Sequence, residues 1–144
     1  MNKYMPLWII YAILSAVCAA AVAVLGKIGI ANVDTTLATT VRAVVMAFFL
    51  VFVSLALGKS SLISMIDSKP LLFITLSGIA GALSWLFYFF ALKTGPASAV
   101  AALDRLSVVF VLIFALIFLG EQLTLKSGFG ALLITIGAIF MVLK

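Results

Sequence analysis

The stretch Pro96–Leu119 reads P-A-S-A-V-A-A-L-D-R-L-S-V-V-F-V-L-I-F-A-L-I-F-L, and its only charges are Asp104 and Arg105. A transmembrane helix needs about 20 predominantly apolar residues, so this run is long enough to span a bilayer. The whole chain is 67% hydrophobic and 9% charged, and its mean hydropathy is +1.44. A soluble domain averages about 45–50% apolar and about 25% charged residues. The composition therefore predicts an integral membrane protein.

Four further apolar runs of similar length accompany this one. The predicted helices of a single domain, 1–144, cover about residues 6–30, 36–57, 70–92, 96–119 and 127–143. Pro70 and Pro96 stand at helix starts, where proline costs least, and continuous apolar runs argue against a β-barrel. The first run exceeds the apolar core of about 7–15 residues typical of signal peptides. We expect an all-α membrane fold that keeps its first helix and has no room for a soluble catalytic domain.

Several classes of function are disfavoured by residue type alone. The chain has no His and a single Cys, Cys18, so neither an internal disulfide nor a Cys/His zinc site is expected. We expect no metal and no cofactor. Basic residues stand singly rather than in a patch interleaved with aromatics, which disfavours nucleic-acid binding. An enzyme is disfavoured too, because no two carboxylates share one predicted depth.

The loop lysines are nearly balanced between the two sides of the membrane. Orientation follows a Lys/Arg excess in the cytoplasmic loops. With five spans, four lysines fall on the side of the N-terminus and three on the other: Lys3, Lys59, Lys69 and Lys126 against Lys27, Lys93 and Lys144. Two interpretations stay open. The N-terminus is cytoplasmic but weakly specified, or the chain inserts both ways and pairs with its own inverted copy.

Four charged residues lie within the predicted spans: Lys27 near the end of the first, and three at greater depth, where a charge costs about 2.5–3.5 kcal/mol on insertion scales. Asp104 and Arg105 are expected about 12–14 Å into the fourth helix and Arg42 about 9 Å into the second. All three lie in the half of the membrane where Lys27 ends the first helix. Adjacent helical residues do not face each other, so Asp104 and Arg105 need separate partners.

Two hypotheses account for these charges. In the structural one, Asp104 forms a buried ion pair with Arg42 or Lys27, or Lys27 extends to the interface. In the functional one, the charges line a transport pathway. Asp104 is then a proton or counter-ion group, and the cations, with the N-termini of the second and fourth helices, attract an anionic part of the substrate.

Other features are compatible with a pathway or with packing. The aromatic stretch Ser84–Phe90, with Trp85 and Tyr88, suits an interfacial belt or a stacking wall for a substrate. Faces with small or hydroxyl side chains occur in the second and third helices: Thr35, Thr39, Arg42 and Met46; Ser77, Gly81, Ser84 and Tyr88. Gly130 and Gly137 share one face of the last helix and suit a dimer interface or packing within the protomer.

An ordered set of segments resembles the EamA-like domain of the drug/metabolite transporter superfamily. The segments are Y-F-F-A-L-K-T-G-P-A-S-A-V (Tyr88–Val100), D-R-L-S-V-V-F from Asp104, L-G-E-Q-L-T from Leu119 and G-A-L-L-I-T-I-G-A from Gly130. Lys27 and Arg42 also fit that pattern. Most proteins of this kind carry two inverted five-helix repeats, and this sequence holds one such repeat.

The resemblance implies a multi-pass transporter, and an exporter, of small metabolites in the inner membrane of a prokaryotic cell. It would work by alternating access as a homodimer, which we expect to be antiparallel, as in the related small multidrug resistance transporters. The Gly130–Gly137 spacing resembles their dimer-forming helix. Their carboxylate in the first helix is missing, so proton coupling would fall to Asp104. The predicted pathway residues are Asp104, Arg105, Arg42, Lys27, Tyr88 and Trp85. The alternative is a non-transporting membrane subunit that braces a partner or assists lipid-carrier movement.

Overall fold

The computed structural model describes residues 6–143, and these form helices joined by short connections. Lys3 and Lys144, which enter the predicted lysine balance, lie outside the described residues. The six helices of the described chain are α1 Leu7–Gly29, α2 Thr35–Ala56, α3 Ser68–Thr94, α4 Ala97–Asp104, α5 Ser107–Phe114 and α6 Leu125–Val142. A 3₁₀ turn, Ser60–Met65, precedes α3, and a π-helical turn, Ala115–Leu119, follows α5.

Five helical segments of residues 6–143 are long and apolar enough to cross a membrane: α1, α2, α3, the composite Ala97–Leu119, and α6. The predicted all-α membrane fold is confirmed. Segment ends differ from the predicted ones by at most two residues. The third helix begins at Ser68 rather than Pro70, because the first N–H groups of a helix have no intrahelical partner and proline is tolerated there.

The fourth span is not one continuous α-helix, which the sequence did not predict. Between α4 and α5, Arg105 and Leu106 adopt φ/ψ of −66°/−13° and −61°/−18°. Their N–H groups donate to the carbonyls three residues earlier, at 3.1 Å and 2.9 Å. This is 3₁₀ geometry, and such a turn inside a helix often marks a hinge. The backbone of the fourth span is therefore wound more tightly than an α-helix at the charged pair and more loosely in the π-helical turn.

The chain forms two compact units. One contains the chain up to Lys27 together with the residues from Thr94 onward, and the other is Ile28–Lys93. In the first unit, α4 packs against α6. The buried residues of these two helices are small: Ala99, Val100, Ala102, Ala131 and Ala138. Small side chains allow close approach of membrane helices, so alanines rather than glycines form this contact.

The second unit has its core where α2 begins and α3 ends. Ile30, Thr35, Phe89 and Leu92 are buried there. The ammonium of Lys93, in the last turn of α3, donates to the carbonyl of Ile30 and to two further carbonyls of the α1–α2 connection, those of Ala31 (2.9 Å) and Val33 (3.2 Å). Lys93 therefore supplies donors to backbone groups that no helix satisfies.

Helix ends follow local chemistry. Asp34 caps α2 by accepting from Leu37 N at 2.9 Å, and Thr124 and Ser127 form a reciprocal capping box at α6. α2 ends at Ala56, and past the C-cap residue Leu57 the N–H groups of Gly58 (φ 65°) and Lys59 donate to the carbonyls of Leu55 and Ser54. This is a Schellman motif.

Most large apolar side chains of the described residues are exposed in the isolated chain. In water such a surface would be untenable, but lipid tails are as apolar as leucine. Helix association then depends on close packing rather than on the hydrophobic effect. The chain buries little of itself, and its remaining surface is available to lipid or to another protein.

Candidate functional site

The most organised polar feature of the second unit is a stack of Arg42 on aromatic rings. The guanidinium carbon of Arg42 lies 3.6 Å from the ring centroid of Trp85 and 5.5 Å from that of Phe89. Trp85 meets Tyr88 edge-on at 5.5 Å between centroids and Phe89 at 6.0 Å. These distances fall within the range of cation–π and aromatic contacts. Three predicted site residues, Arg42, Trp85 and Tyr88, are thus brought together.

The Arg42–Trp85 stack lies in a groove between α2 and α3 with a volume of about 680 Å³. This volume is within the range of about 300–1,000 Å³ typical of small-molecule sites. Its only charged lining residue is Arg42. The lining is otherwise made of hydroxyl, small and apolar side chains: Thr36, Thr39, Thr40, Ala43, Met46, Ala47, Leu50, Gly78, Gly81, Ala82, Trp85 and Leu86. We call it the α2/α3 groove.

The guanidinium of Arg42 has no acceptor among residues 6–143. The structure gives it no hydrogen bond and no ion pair there, only the contacts with the two rings. Arg42 is half-buried, and it lies seven residues past the first residue of α2, which is about 10 Å along the helix. An arginine carries five N–H donors and no acceptor. The stack therefore positions a cation whose donors remain available at intramembrane depth.

Two threonines add acceptors to the α2/α3 groove. The hydroxyls of Thr39 and Thr40 donate to the carbonyls of Thr35 (2.8 Å) and Thr36 (2.9 Å), one turn back in α2. Each hydroxyl proton is thereby used, while the oxygen can still accept a hydrogen bond. These groups suit a weak polar contact, but they carry no charge that could balance a cation.

Lys27 has a bonding role in the first unit. Its ammonium donates to the carbonyl of Gly95 at 2.8 Å, and it lies in the last turn of α1. Gly95 belongs to the short connection between α3 and α4. This hydrogen bond links the end of α1 to the connection that precedes α4. The predicted pathway residue Lys27 therefore has a bracing contact.

Asp104 and Arg105 lie at the 3₁₀ turn of the fourth span and are both exposed. Within residues 6–143, neither side chain makes a hydrogen bond or an ion pair. The structural hypothesis of a buried pair at Asp104 has no contact to support it in the isolated chain. The two charges stand where the backbone departs from α-helical geometry, and a partner for them has to come from outside the described chain.

Gly130 and Gly137 do not touch the rest of the described chain closely. A Cβ placed on either would meet no atom within 4 Å. The residues of α6 buried within the first unit are Ala131 and Ala138, one position further along the helix. The glycines leave a smooth strip open to another helix, so they have no packing role in the isolated chain.

Sequence reasoning missed some members of the site. On α3 it favoured the face of Ser77, Gly81, Ser84 and Tyr88, of which Gly81 lines the groove. The other α3 lining residues are Gly78, Ala82, Trp85 and Leu86. Small residues followed at helical spacing by large apolar ones could have indicated the groove face of α3, but the sequence analysis favoured hydroxyl residues. Lys93 was counted only as a loop charge. Its position in the last turn of a helix, where cations meet free carbonyls, could have indicated its role.

Comparisons with known proteins show which family this chain resembles. The family model of the EamA-like transporter family matches residues 6–143. A protein from Sinorhizobium sp, named as an uncharacterized transporter in the cobO 3' region, is 42% identical over 134 residues, which are 93% of this chain and 95% of the relative. No solved structure matches. The predicted resemblance is confirmed.

These matches point to a transporter rather than to an enzyme, since they cover nearly the whole chain and both are named as transporters. The Sinorhizobium relative suggests a prokaryotic cell membrane. Together with five apolar spanning helices and a groove at membrane depth, the comparisons lead to one conclusion: the chain belongs to the EamA-like transporter family and is a multi-pass membrane transporter.

Proposed function

We propose that the protein exports small metabolites from a prokaryotic cell by alternating access, and that it acts as an antiparallel homodimer in the inner membrane. The observation that carries the proposal is the α2/α3 groove, in which Arg42 stacks on Trp85 and keeps its donors free. An intramembrane charge facing a cavity is typical of a substrate or ion route.

The low internal burial of the chain supports a dimer. A substrate site has to be closed on one side at a time during alternating access, and the α2/α3 groove is lined by two helices only. Many transporters close their site with an inverted repeat related by an axis in the membrane plane. The Sinorhizobium relative matches over 95% of its length, so that relative is about one repeat long. A second, inverted copy would supply the missing half.

Two features favour the antiparallel arrangement. The lysines at the helix ends give little orientation bias, so both insertions are accessible. Gly130 and Gly137 leave an open strip on α6, and small residues at such spacing allow close contact between helices of two chains. In this arrangement the strip forms the dimer contact.

Each charged residue then has a distinct role. Arg42 is the counter-ion of the substrate, and Trp85, supported by its contact with Tyr88, is the stacking wall. Asp104 and Arg105, at the 3₁₀ turn, act in coupling as the fourth span changes shape. Lys27 braces the helix ends through Gly95. This division assigns binding to the second unit and conformational change to the first.

The test is a flux assay in proteoliposomes with radiolabelled amino acids, amines, sugars, nucleosides and organic acids. We expect saturable flux of at least one class, and Arg42→Gln should lower it about tenfold or more, as expected when a charge-assisted contact is lost. Lys59→Gln removes the same charge from an exposed loop and is the matched control. Absence of flux for every class in folded protein would contradict the proposal.

The dimer geometry has its own experiment. Reporters that are active on only one side of the membrane are fused after Lys144, and signal from both sides is expected for dual insertion. Signal from one side alone would contradict the antiparallel dimer. If Asp104→Asn and Arg42→Gln both function normally, the charges are not a transport site and a non-transporting subunit becomes the better account.

A further inference from the structure

The charge balance of the α2/α3 groove restricts what can bind there. Among its thirteen lining residues Arg42 is the only ionisable one, so the groove holds one positive charge and no carboxylate. A bound ammonium would be left without a counter-ion and would repel the guanidinium. A buried unpaired charge is strongly disfavoured. The groove therefore favours a group with one negative charge and disfavours amines.

The position of Arg42 defines where that negative charge would sit. Arg42 is about 10 Å from the first residue of α2, and the groove continues deeper along α2 to Met46, Ala47 and Leu50. Beyond Arg42 the α2 lining is apolar. Gly78 and Gly81 give the α3 wall little bulk, because no atom lies within 4 Å of a Cβ built on either. A ligand thus meets a cation first and an apolar space beyond it.

The geometry of the Arg42 guanidinium further limits which anionic ligands can bind in the groove. One planar face of Arg42 is occupied by the Trp85 ring at 3.6 Å, which leaves the edge, with its forked N–H donors, for a ligand. That fork matches a carboxylate through two parallel hydrogen bonds. A zwitterionic amino acid presents the same carboxylate but brings an ammonium for which the groove has only threonine oxygens and backbone carbonyls.

A phospholipid headgroup offers an anion as well, but the depth argues against it. α2 has 22 residues, about 33 Å, which matches the thickness of the hydrocarbon core. An anion bound to Arg42 would lie about 10 Å below the end of the helix. A lipid phosphate would have to leave the headgroup layer to reach it, whereas a small solute has no such constraint.

We propose that the α2/α3 groove is the binding site for monoanionic amphipathic solutes, in which a carboxylate is attached to an apolar or aromatic body. The carboxylate pairs with the Arg42 edge and the body extends toward Leu50. The groove discriminates against amines and zwitterions of the same shape. This inference rests on the proposed transport function and names its substrate class.

Binding is measured apart from transport, on detergent-purified protein carrying Trp8→Phe. The chain has two tryptophans, so Trp85 becomes the single fluorescent reporter, and Trp8 lies exposed in α1. Four matched probes are titrated: 3-phenylpropionate, 3-phenylpropionamide, phenethylamine and phenylalanine. We expect a saturable change with 3-phenylpropionate, binding at least about tenfold weaker with the amide and with phenylalanine, and none with phenethylamine.

Variants connect this preference to Arg42. In the same background Arg42→Gln should reduce acid binding to the level of the amide, and Lys59→Gln should leave it unchanged. Arg42→Lys keeps the charge but loses the fork, so a weaker preference for the acid should remain. If Arg42→Gln does not fold, the acid preference of Arg42→Lys is compared with that of the parent protein, and an undiminished preference would contradict the role of the Arg42 fork. Equal binding of acid and amine to the parent protein would overturn the proposal.

The lipid source is separated by repeating the titration in nanodiscs of phosphatidylcholine with and without phosphatidylglycerol. If phosphatidylglycerol alone changes Trp85 fluorescence in an Arg42-dependent way and blocks 3-phenylpropionate, a lipid occupies the groove and the solute proposal fails. Acid binding without any flux would overturn the transport function and leave the site assignment intact. Flux of amines or zwitterions with no acid preference would overturn this inference alone.

Discussion

The two intramembrane charge sites of this protein are accommodated in different ways. In the second unit Arg42 is half-buried and stacked on Trp85 and Phe89. In the first unit Asp104 and Arg105 are exposed at a 3₁₀ turn and have no side-chain partner among residues 6–143. A cation can be stabilised by an aromatic face and still present its donors. A carboxylate gains nothing from such a face, so Asp104 requires a cation or water from outside the described chain.

This difference suggests that the Arg42 site is preorganised for a ligand and that the Asp104–Arg105 site is adapted to a change of conformation. The aromatic cluster fixes the position of Arg42 before anything binds. At Asp104–Arg105 the helix already departs from α geometry, and tightened or widened turns are common at functional positions. The following predictions test this contrast, beginning with the largest expected effect.

Reversing the charge of Arg42 should have the largest effect. Arg42→Glu places a carboxylate where the α2/α3 groove has its only cation, and we expect flux of a carboxylate substrate to fall at least about a hundredfold, because a close attraction becomes a repulsion. Initial rates in proteoliposomes measure it. Lys59→Glu, which makes the same charge change in a loop, is the control, and comparable losses in both variants would mean that net charge rather than the site matters.

Removing the aromatic support should have an intermediate effect. Trp85→Leu leaves the charge of Arg42 but removes a cation–π contact of about 0.5–2 kcal/mol, and we expect binding of 3-phenylpropionate to weaken about tenfold. Isothermal titration calorimetry is the measurement, since the fluorescent reporter is lost. Trp8→Leu is the matched control, as Trp8 is exposed and outside the groove. Unchanged affinity in Trp85→Leu would argue that the stack does not position the guanidinium.

The end of the π-helical turn should show a stability effect of moderate size. Gly120 has φ 66°, and the N–H of Glu121 bonds to the carbonyl of Ala115 at 3.2 Å. A side chain in the left-handed region costs about 1–2 kcal/mol, so Gly120→Ala should lower the thermal midpoint. Gly29→Ala also adds a methyl group in open space, but without the positive φ, and should not lower it. A midpoint that is the same in both variants would contradict this account.

Neutralising Asp104 should have the smallest effect on stability. Asp104 is exposed and has no partner within the described residues, so Asp104→Asn should change the free energy of unfolding by no more than about 0.5 kcal/mol. Breaking a buried ion pair would cost about 3–5 kcal/mol instead. Chemical denaturation in detergent distinguishes these magnitudes. A large loss would restore the structural hypothesis for Asp104, and a small loss accompanied by reduced flux would support its role in coupling.

Prediction from sequence succeeded where local composition decides the outcome. Apolar runs of about 20 residues specify spanning helices, because only helices and closed barrels satisfy the backbone in lipid. It did not foresee the 3₁₀ turn at Arg105 and Leu106 or the π-helical turn before Gly120. In these runs hydrophobicity is nearly uniform around the helix, so no periodic signal records a change of turn. It also selected Tyr88 for the pathway face, and the structure places Tyr88 in a T-shaped contact with Trp85, outside the set of residues that line the groove.

The sequence by itself determined that this protein lies in a membrane, that it has five spans and that Arg42, Asp104 and Arg105 fall within them. These properties depend on the cost of moving each residue from water to lipid, which is fixed by residue type and order. Only the tertiary structure decided which charge acquires an aromatic partner and which remains exposed. That outcome depends on the rotation of α2 and α3 about their axes, which packing sets and hydrophobicity does not.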